Sequence, residues 1–402
     1  MASPRSAVSS IAAAKVIQAI ATVAVTFLVA RGVGSEGQGL IEDATIWPLL
    51  LVPLTSFSLT HGAVTTMRRG VDQSTVVSAV VTLAGITMAL SVVAGVVIVA
   101  TSPPELGAST GLLAFGLLPV IWLTTIATSI TWTSGNSTAS SFVEAAQSTV
   151  RMVVFAGLFV LGVMTPRWVV VVLIGSWAVV AVLYLAWTLQ QTSVVLTRVN
   201  LWSTIRALFE VTLPTTINVF LLAGLLRLDV LLLLAFDVEK SEIGQYAVAL
   251  KVGELLWFIP LARGQAFIVE SAKRHSPGFA VQTSDVALTF VAGFFMIGAL
   301  AIGSGILGDD YGDVATFFAF LLVGVVAYSA LPTARNLLIV SDKAWLLAGI
   351  MLGGLFVNAV GNVLLIPAMG VPGAAIASSV SYTLVSLAVV GSARRVGSLP
   401  AV

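Results

Sequence analysis

The sequence predicts an all-α integral membrane protein with about twelve transmembrane helices in two six-helix halves. Three observations carry this prediction. Hydrophobic residues make up 58% of the 402-residue chain, charged residues only 9%, and the apolar residues come in runs long enough to span a bilayer. A soluble domain carries about 25% charged residues. This chain has too little charge to coat a surface facing water, so much of its surface must face lipid.

Each element is an apolar run between polar breaks, read against the roughly 20 residues that a spanning helix needs. The expected spans are 8–31, 40–67, 74–100, 109–132, 139–163 and 168–190, then 209–236, 243–269, 281–306, 314–340, 344–366 and 371–393. The first run is too long for the apolar core of a cleavable leader, so it reads as a first crossing. The stretch 191–208 carries Arg198, Trp202 and Arg206 among apolar residues and suits an interfacial linker. The expected organisation is an N-lobe over 1–190, a linker over 191–208 and a C-lobe over 209–402.

Charge placement supports an even count of crossings. With the N-terminus in the cytoplasm, the inner segments hold Arg5, Arg68, Arg69, Arg198, Arg206, Lys273, Arg274, Lys343, Arg394 and Arg395. The outer loops hold Arg167 and Lys240, with Arg31 at a helix edge, and are rich in acids. By the positive-inside rule both termini are expected on the cytoplasmic side of the cell inner membrane.

An internal repeat accompanies this count. Ser35-Glu36-Gly37-Gln38-Gly39 follows the first helix of one half, and Ser241-Glu242-Ile243-Gly244-Gln245 follows the first helix of the other. Gly39 and Gly244 lie 205 residues apart, and Pro166 and Pro372 lie 206 apart. Halves with an even number of helices insert in the same orientation, so the duplication is of the parallel kind.

Several chemistries are excluded. No lysine follows a glycine, so there is no phosphate loop of the ATP-driven kind. Cysteine is absent and the only histidines are His61 and His275, so neither a disulfide frame nor a histidine-rich metal site is expected. The sequon at Asn136 falls on the inner side and is read as chance. A transporter rather than an enzyme is expected, with no cofactor, no metal and no nucleic-acid partner.

Ionisable groups inside a bilayer are costly and mark cavities or partners. The candidates are Lys15, Glu144, Arg151, Arg227, Asp229, Lys251, Glu254 and Arg263. Arg151 falls near mid-membrane. Glu144 precedes it by seven residues and so shares its face. Lys251 and Glu254 stand at i,i+3 and can pair, whereas Arg227 and Asp229 point to different faces. Lys15 and Arg263 lie about a third of the way in, where snorkelling and cavity lining both remain open. Arg335, close to the inner end of its span, reads as snorkelling. Cations in excess of acids favour an anionic head group, and a diphosphate suits Arg and Lys together. The expected substrate-binding set is Arg151, Lys251, Arg227, Lys15 and Arg263. Glu144, Asp229 and Glu254 are the candidates for coupling to an ion gradient. Prolines 48, 53, 214 and 260 fall inside spans and are expected to bend them.

Several segments resemble a known family. Ala30 through Gly39 resembles the R-x-L-G-P-E-x-x-G junction of Wzx-type polysaccharide and O-antigen flippases, with Ser35 in place of proline. Leu213-Pro214, Arg227-Leu228-Asp229 and Ile243-Gly244-Gln245-Tyr246 agree with it. The most specific likeness is Asn362 through Leu365-Ile366-Pro367 and Gly370 to Gly373-Ala374-Ala375-Ile376-Ala377. The family belongs to the superfamily shared with MATE multidrug exporters and the lipid II flippase. The resemblance implies two lobes in a V shape and flipping of undecaprenyl-diphosphate-linked oligosaccharide for surface polysaccharide synthesis. It implies partners in the bilayer, the lipid-linked substrate and polysaccharide polymerase or glycosyltransferases. A cation-coupled MATE-type drug exporter is the alternative. Lipid II flippases usually carry fourteen helices, which argues against that branch.

Overall fold

The computed structural model describes residues 4–136, 138–192, 196, 201–271 and 283–397. Arg198, Lys273, Arg274 and His275 lie outside them. Among the described residues there are sixteen α-helices, one short 3-10 turn and no strand. In chain order the helices are α1 (Pro4–Ser56), α2 (Leu59–Arg68), α3 (Gln73–Thr101), α4 (Ala108–Ala114), α5 (Leu117–Thr133), α6 (Thr138–Val160), α7 (Pro166–Gln191) and α8 (Leu201–Leu225). They continue as α9 (Leu228–Ala235), α10 (Lys240–Leu256), α11 (Phe258–Ser271), α12 (Thr283–Leu307), α13 (Val314–Tyr328), α14 (Leu331–Val340), α15 (Ala344–Met369) and α16 (Val371–Gly397).

Among the described residues, ten runs are individually long and apolar enough to cross a membrane. One, Ala13–Met67, is 55 residues long. At 1.5 Å per residue this is about 80 Å of helix, enough for two crossings of about 30 Å. The helix breaks at Gly34, whose φ of 71° lies outside the helical region. α10 and α11 are each too short to count alone, with 17 and 14 residues, and together make one crossing. Resolving these two cases gives twelve. Large apolar side chains such as Phe295, Leu364 and Leu387 are exposed, as a lipid-facing surface requires.

Proline chemistry sets several breaks within crossings. Pro260 follows the break at Trp257 and Pro332 follows the one at Ser329. Lacking an N–H, these prolines leave the carbonyls of Leu256 and Tyr328 without their i+4 donors. The seventh crossing breaks between α8 and α9, where Arg227 leaves the helical conformation (φ −133°, ψ −11°).

By internal packing the chain falls into two compact units: 1–25 with 43–220, and 26–42 with 221–402. The first has one core around Leu59, Val76, Val80, Ile130 and Leu208, and a second around Val120, Val170 and Ile174. In the second unit Tyr246, Tyr311, Phe318 and Tyr382 are fully buried. Small residues let its helices close up: Gly324 lies against Ser379 and Gly354 against Val385, with no room for a β-carbon at either.

Residues 26–42 belong to the second unit through specific contacts. The Tyr311 hydroxyl donates to the Ala30 carbonyl at 3.0 Å, and Arg31 Nη1 donates to the Gly305 carbonyl at 3.2 Å. The two repeat glycines meet reciprocally. Gly39 sits on the carbonyl of Lys240, four residues before Gly244, and Gly244 sits on the carbonyl of Ser35, four residues before Gly39. The offset read in the sequence is therefore a pseudo-twofold helix crossing, closed because neither position carries a side chain.

Candidate functional site

In the second unit the charged residues gather at the helix breaks. The break before α9 presents Arg227, and the C-terminal half of α10 presents Lys251 and Glu254. Arg227 Nη2 donates to Glu254 Oε1 at 3.1 Å. Lys251 Nζ donates to Glu42 Oε1 at 2.7 Å, and Arg227 Nη1 stands 4.0 Å from Glu42 Oε2. Gln38 Nε2, one turn earlier, also donates to Glu42, at 3.1 Å. Glu42 is the buried floor of this cluster with its side chain 4% exposed, while Glu254 is 37% exposed at the rim.

The pairing differs from the i,i+3 pair expected between Lys251 and Glu254. Each cation instead reaches an acid on another helix. Glu42 escaped the sequence reading because it lies at the edge of an apolar run, where a loop carboxylate is unremarkable. The cluster is charge-balanced, with two acids facing two bases, so the expected excess of cations does not hold here.

An aromatic group adjoins it. Trp257, at the break between α10 and α11, stacks on Tyr328 with centroids 4.0 Å apart and meets Tyr382 at 6.3 Å. Its Nε1 donates to the Val325 carbonyl at 2.8 Å, tying the α10/α11 break to α13. These aromatics had no sequence signal beyond their type.

Asp229 and Arg227 point to different partners, as their spacing requires. Asp229 is fully buried. Its Oδ2 accepts from the Tyr246 hydroxyl at 2.5 Å and the Ser378 hydroxyl at 2.8 Å, and its Oδ1 accepts from the Val230 N–H at 2.8 Å. Asn358 Nδ2 donates to Ser378 Oγ at 3.2 Å, and Asn362 Nδ2 donates to the Asn358 carbonyl at 2.8 Å. The Asn362 Oδ1 is buried with no hydrogen-bond partner. Asn362 opens the most specific motif of the sequence and Ser378 directly follows it, so the polar residues around that motif line up behind a buried carboxylate. Among the described residues no three His, Cys, Asp or Glu side chains converge as a metal centre would need.

In the first unit Lys15 Nζ donates to Glu144 Oε2 at 2.5 Å and to Gln18 Oε1 at 3.0 Å. Glu144 is thereby taken by Lys15 rather than Arg151. Arg151 lies over the Trp177 ring, 5.8 Å from its centroid, and its Nε is buried with no hydrogen-bond partner. No acid among the described residues forms an ion pair with it. Arg263, in the second unit, pairs with Asp285 on α12. Four of the five expected substrate-binding cations therefore hold an acid, and Arg151 does not. Arg335, read from the sequence as snorkelling, likewise has a buried Nε without a partner.

Solved structures share this architecture. The lipid II flippase MurJ in an inward closed conformation superposes with a TM-score of 0.69 at 12% identity, covering 96% of this chain and 87% of that one. The fold is that of the MATE exporters and the lipid II flippase. A eukaryotic MATE transporter matches with a TM-score of 0.64 at 15% identity, covering 97% of both chains. A Vibrio cholerae MATE transporter matches at 0.60 and 14%, covering 98% of this chain and 97% of that one. No family model matches the sequence, and comparison with curated proteins finds no match. At these identities the likeness establishes the fold, an all-α integral membrane architecture used by transporters.

Proposed function

We propose that the chain flips undecaprenyl-diphosphate-linked oligosaccharide across the cytoplasmic membrane for surface polysaccharide synthesis, by alternating access coupled to an ion gradient. Along the sequence its proposed lobes are 1–190 and 209–402, joined by the linker 191–208 and with both termini cytoplasmic, although by packing Thr26–Glu42 falls in the second compact unit and the first extends to Phe220. The observation that carries this reading is Arg151. An uncompensated guanidinium within an apolar span is costly, and a ligand oxyanion that accepts from it removes that cost. Lys15 in the first unit, and Arg227, Lys251 and Arg263 in the second, are the further proposed anion contacts, each holding an acid of its own unit that a phosphate oxygen can displace. Asp229, Glu144 and Glu254 are the coupling carboxylates. The sequence resemblance to Wzx-type flippases points to the same substrate, with a polymerase or glycosyltransferases acting beside the flippase.

The test is flipping in proteoliposomes, read as exposure of the lipid-linked sugar to an external glycosidase. Arg151→Gln is expected to slow flipping about a hundredfold, the loss of one charge-assisted contact of about 3 kcal/mol. Arg151→Lys, which keeps the charge without the fork, retains part of the rate. Wild-type rates in Arg151→Gln would refute the reading. A cation-coupled multidrug exporter is the second reading, favoured by the likeness to MATE structures. Gradient-driven export of a cationic dye, indifferent to lipid-linked sugars, would establish it instead.

A further inference from the structure

Helix α1 is divided between the units. Residues 4–25 and 43–56 lie with the first, whereas Thr26–Glu42 lies with the second. Glu42 makes its ion pairs with Lys251 and Arg227 of the second unit, while the adjacent Asp43 accepts the Glu105 N–H at 2.9 Å in the first. A segment that enters and leaves a unit in this way is held there by its own contacts. Two kinds of contact matter most.

One is packing, the reciprocal crossing of Gly39 on Lys240 and Gly244 on Ser35. The other is charge, carried by Glu42. Glu42 sits about one helical turn beyond Gly39, on the floor of the cluster whose two cations it neutralises. Any oxyanion that approaches Lys251 and Arg227 from the exposed rim at Glu254 competes with Glu42 for the same N–H groups. A diphosphate has more acceptor oxygens and more charge than one carboxylate, so it is the stronger competitor.

We infer that Thr26–Glu42 is a releasable strap, latched to the second unit by Glu42 and unlatched when a ligand diphosphate takes Lys251 and Arg227. The inference rests on the diphosphate-lipid reading for the identity of the ligand but not for the latch. It gives Glu42 a role that neither a binding nor a coupling residue has: it is the group the ligand replaces. The glycine crossing sets how closely the strap docks, and the ion pairs set when it leaves.

The chain contains no cysteine, so an introduced thiol is an unambiguous reporter. Ser35→Cys places one on the strap, where the native side chain is 3% exposed. Ser386→Cys, at a position of α16 that is 2% exposed, reports loosening of the second unit as a whole. Purified protein in nanodiscs is labelled with a polar maleimide, with inorganic diphosphate or undecaprenyl diphosphate against matched chloride. Glu42→Gln and Lys251→Gln are each expected to speed labelling at position 35 about tenfold, because labelling follows the open population. Either diphosphate is expected to do the same with Glu42 intact, and Ser386→Cys stays protected throughout. An unchanged rate at position 35 in both variants, or an equal rise at position 386, overturns the strap. A rise in the variants with no response to either diphosphate overturns ligand release. If inorganic diphosphate unlatches the strap while undecaprenyl diphosphate neither binds nor does so, the latch stands and the lipid-linked substrate falls.

Discussion

Replacing Gly39 or Gly244 with alanine tests the pseudo-twofold crossing directly. An alanine β-carbon at either position overlaps a backbone carbonyl, and at Gly244 it also comes within 2.9 Å of the Gly39 nitrogen. A carbonyl cannot swing aside as a side-chain tip can, so the helices must separate. Overpacking of this kind costs about 1–3 kcal/mol, and the rigid obstacle puts it near the upper end. Alanine returns up to about 1 kcal/mol of helix propensity, leaving a net loss of about 2 kcal/mol for each single variant. The second alanine enters a crossing the first has already widened. The double variant is therefore expected to lose less than the sum, with coupling of about 1 kcal/mol. At about 2–4 °C per kcal/mol for domains of a few hundred residues, each single lowers the thermal midpoint by several degrees. Fluorescence-detected gel filtration of heated, detergent-solubilised protein reads this. Gly349→Ala, where nothing lies within 4 Å of the added carbon, is the control and is expected to leave the midpoint unchanged or raised. Singles that behave like Gly349→Ala would refute the close crossing, and strict additivity would refute its being shared.

Two further predictions concern single carboxylates. Asp229→Asn keeps the shape of the buried network but removes its charge, and transport is expected to lose its dependence on the imposed ion gradient. Tyr246→Phe, which deletes the 2.5 Å donor, shifts that dependence in the same assay without abolishing it; an unaltered gradient dependence in Asp229→Asn would remove Asp229 from coupling. Asp72 caps α3, accepting from the Thr75 N–H and from the Ser74 and Thr75 hydroxyls, which lowers its pKa from 3.8 to about 2. The folded pKa lies below the unfolded one, so the cap stabilises fully above about pH 3.8 and fades as pH falls towards 2. The midpoint gap between wild type and Asp72→Ala is expected to be constant from pH 7 to 5 and to narrow below 4, and a pH-independent gap would contradict the ionised cap.

The crossings were legible because bilayer thickness and hydropathy act on one helix at a time. Even the two irregular cases had local signals, Gly34 at the first turn and Pro260 at the eighth crossing. The repeat was legible as an offset between Gly39 and Gly244. What it meant was not, because that two glycines touch each other's helix depends on tertiary placement. Charge pairing was the least legible part. The residues Lys251, Arg227, Lys15 and Arg263 could be listed from the sequence, but their partners depend on helix rotation. The i,i+3 rule offered Glu254 to Lys251, and the fold gave Glu254 to Arg227 and Glu42 to Lys251.

The same unread rotation decides which cations are available to a ligand. Counted along the chain, five bases facing three acids describe a positively charged cavity. In the structure Glu42 and Asp285 enter the count, and each of four bases is neutralised within its own unit. Neutral pairs are what a low-dielectric interior tolerates when no ligand is bound, since an unpaired charge there is expensive. A site that must be stable both empty and occupied by a diphosphate is therefore better built from displaceable pairs than from bare cations. In the first unit Arg151, spread over Trp177 without an acid, is the exception, whereas the Glu42 cluster of the second unit is built wholly of such displaceable pairs. On this view the expected excess of cations arises only when ligand oxygens replace carboxylates, so anion binding and release of Thr26–Glu42 are one event seen from two sides.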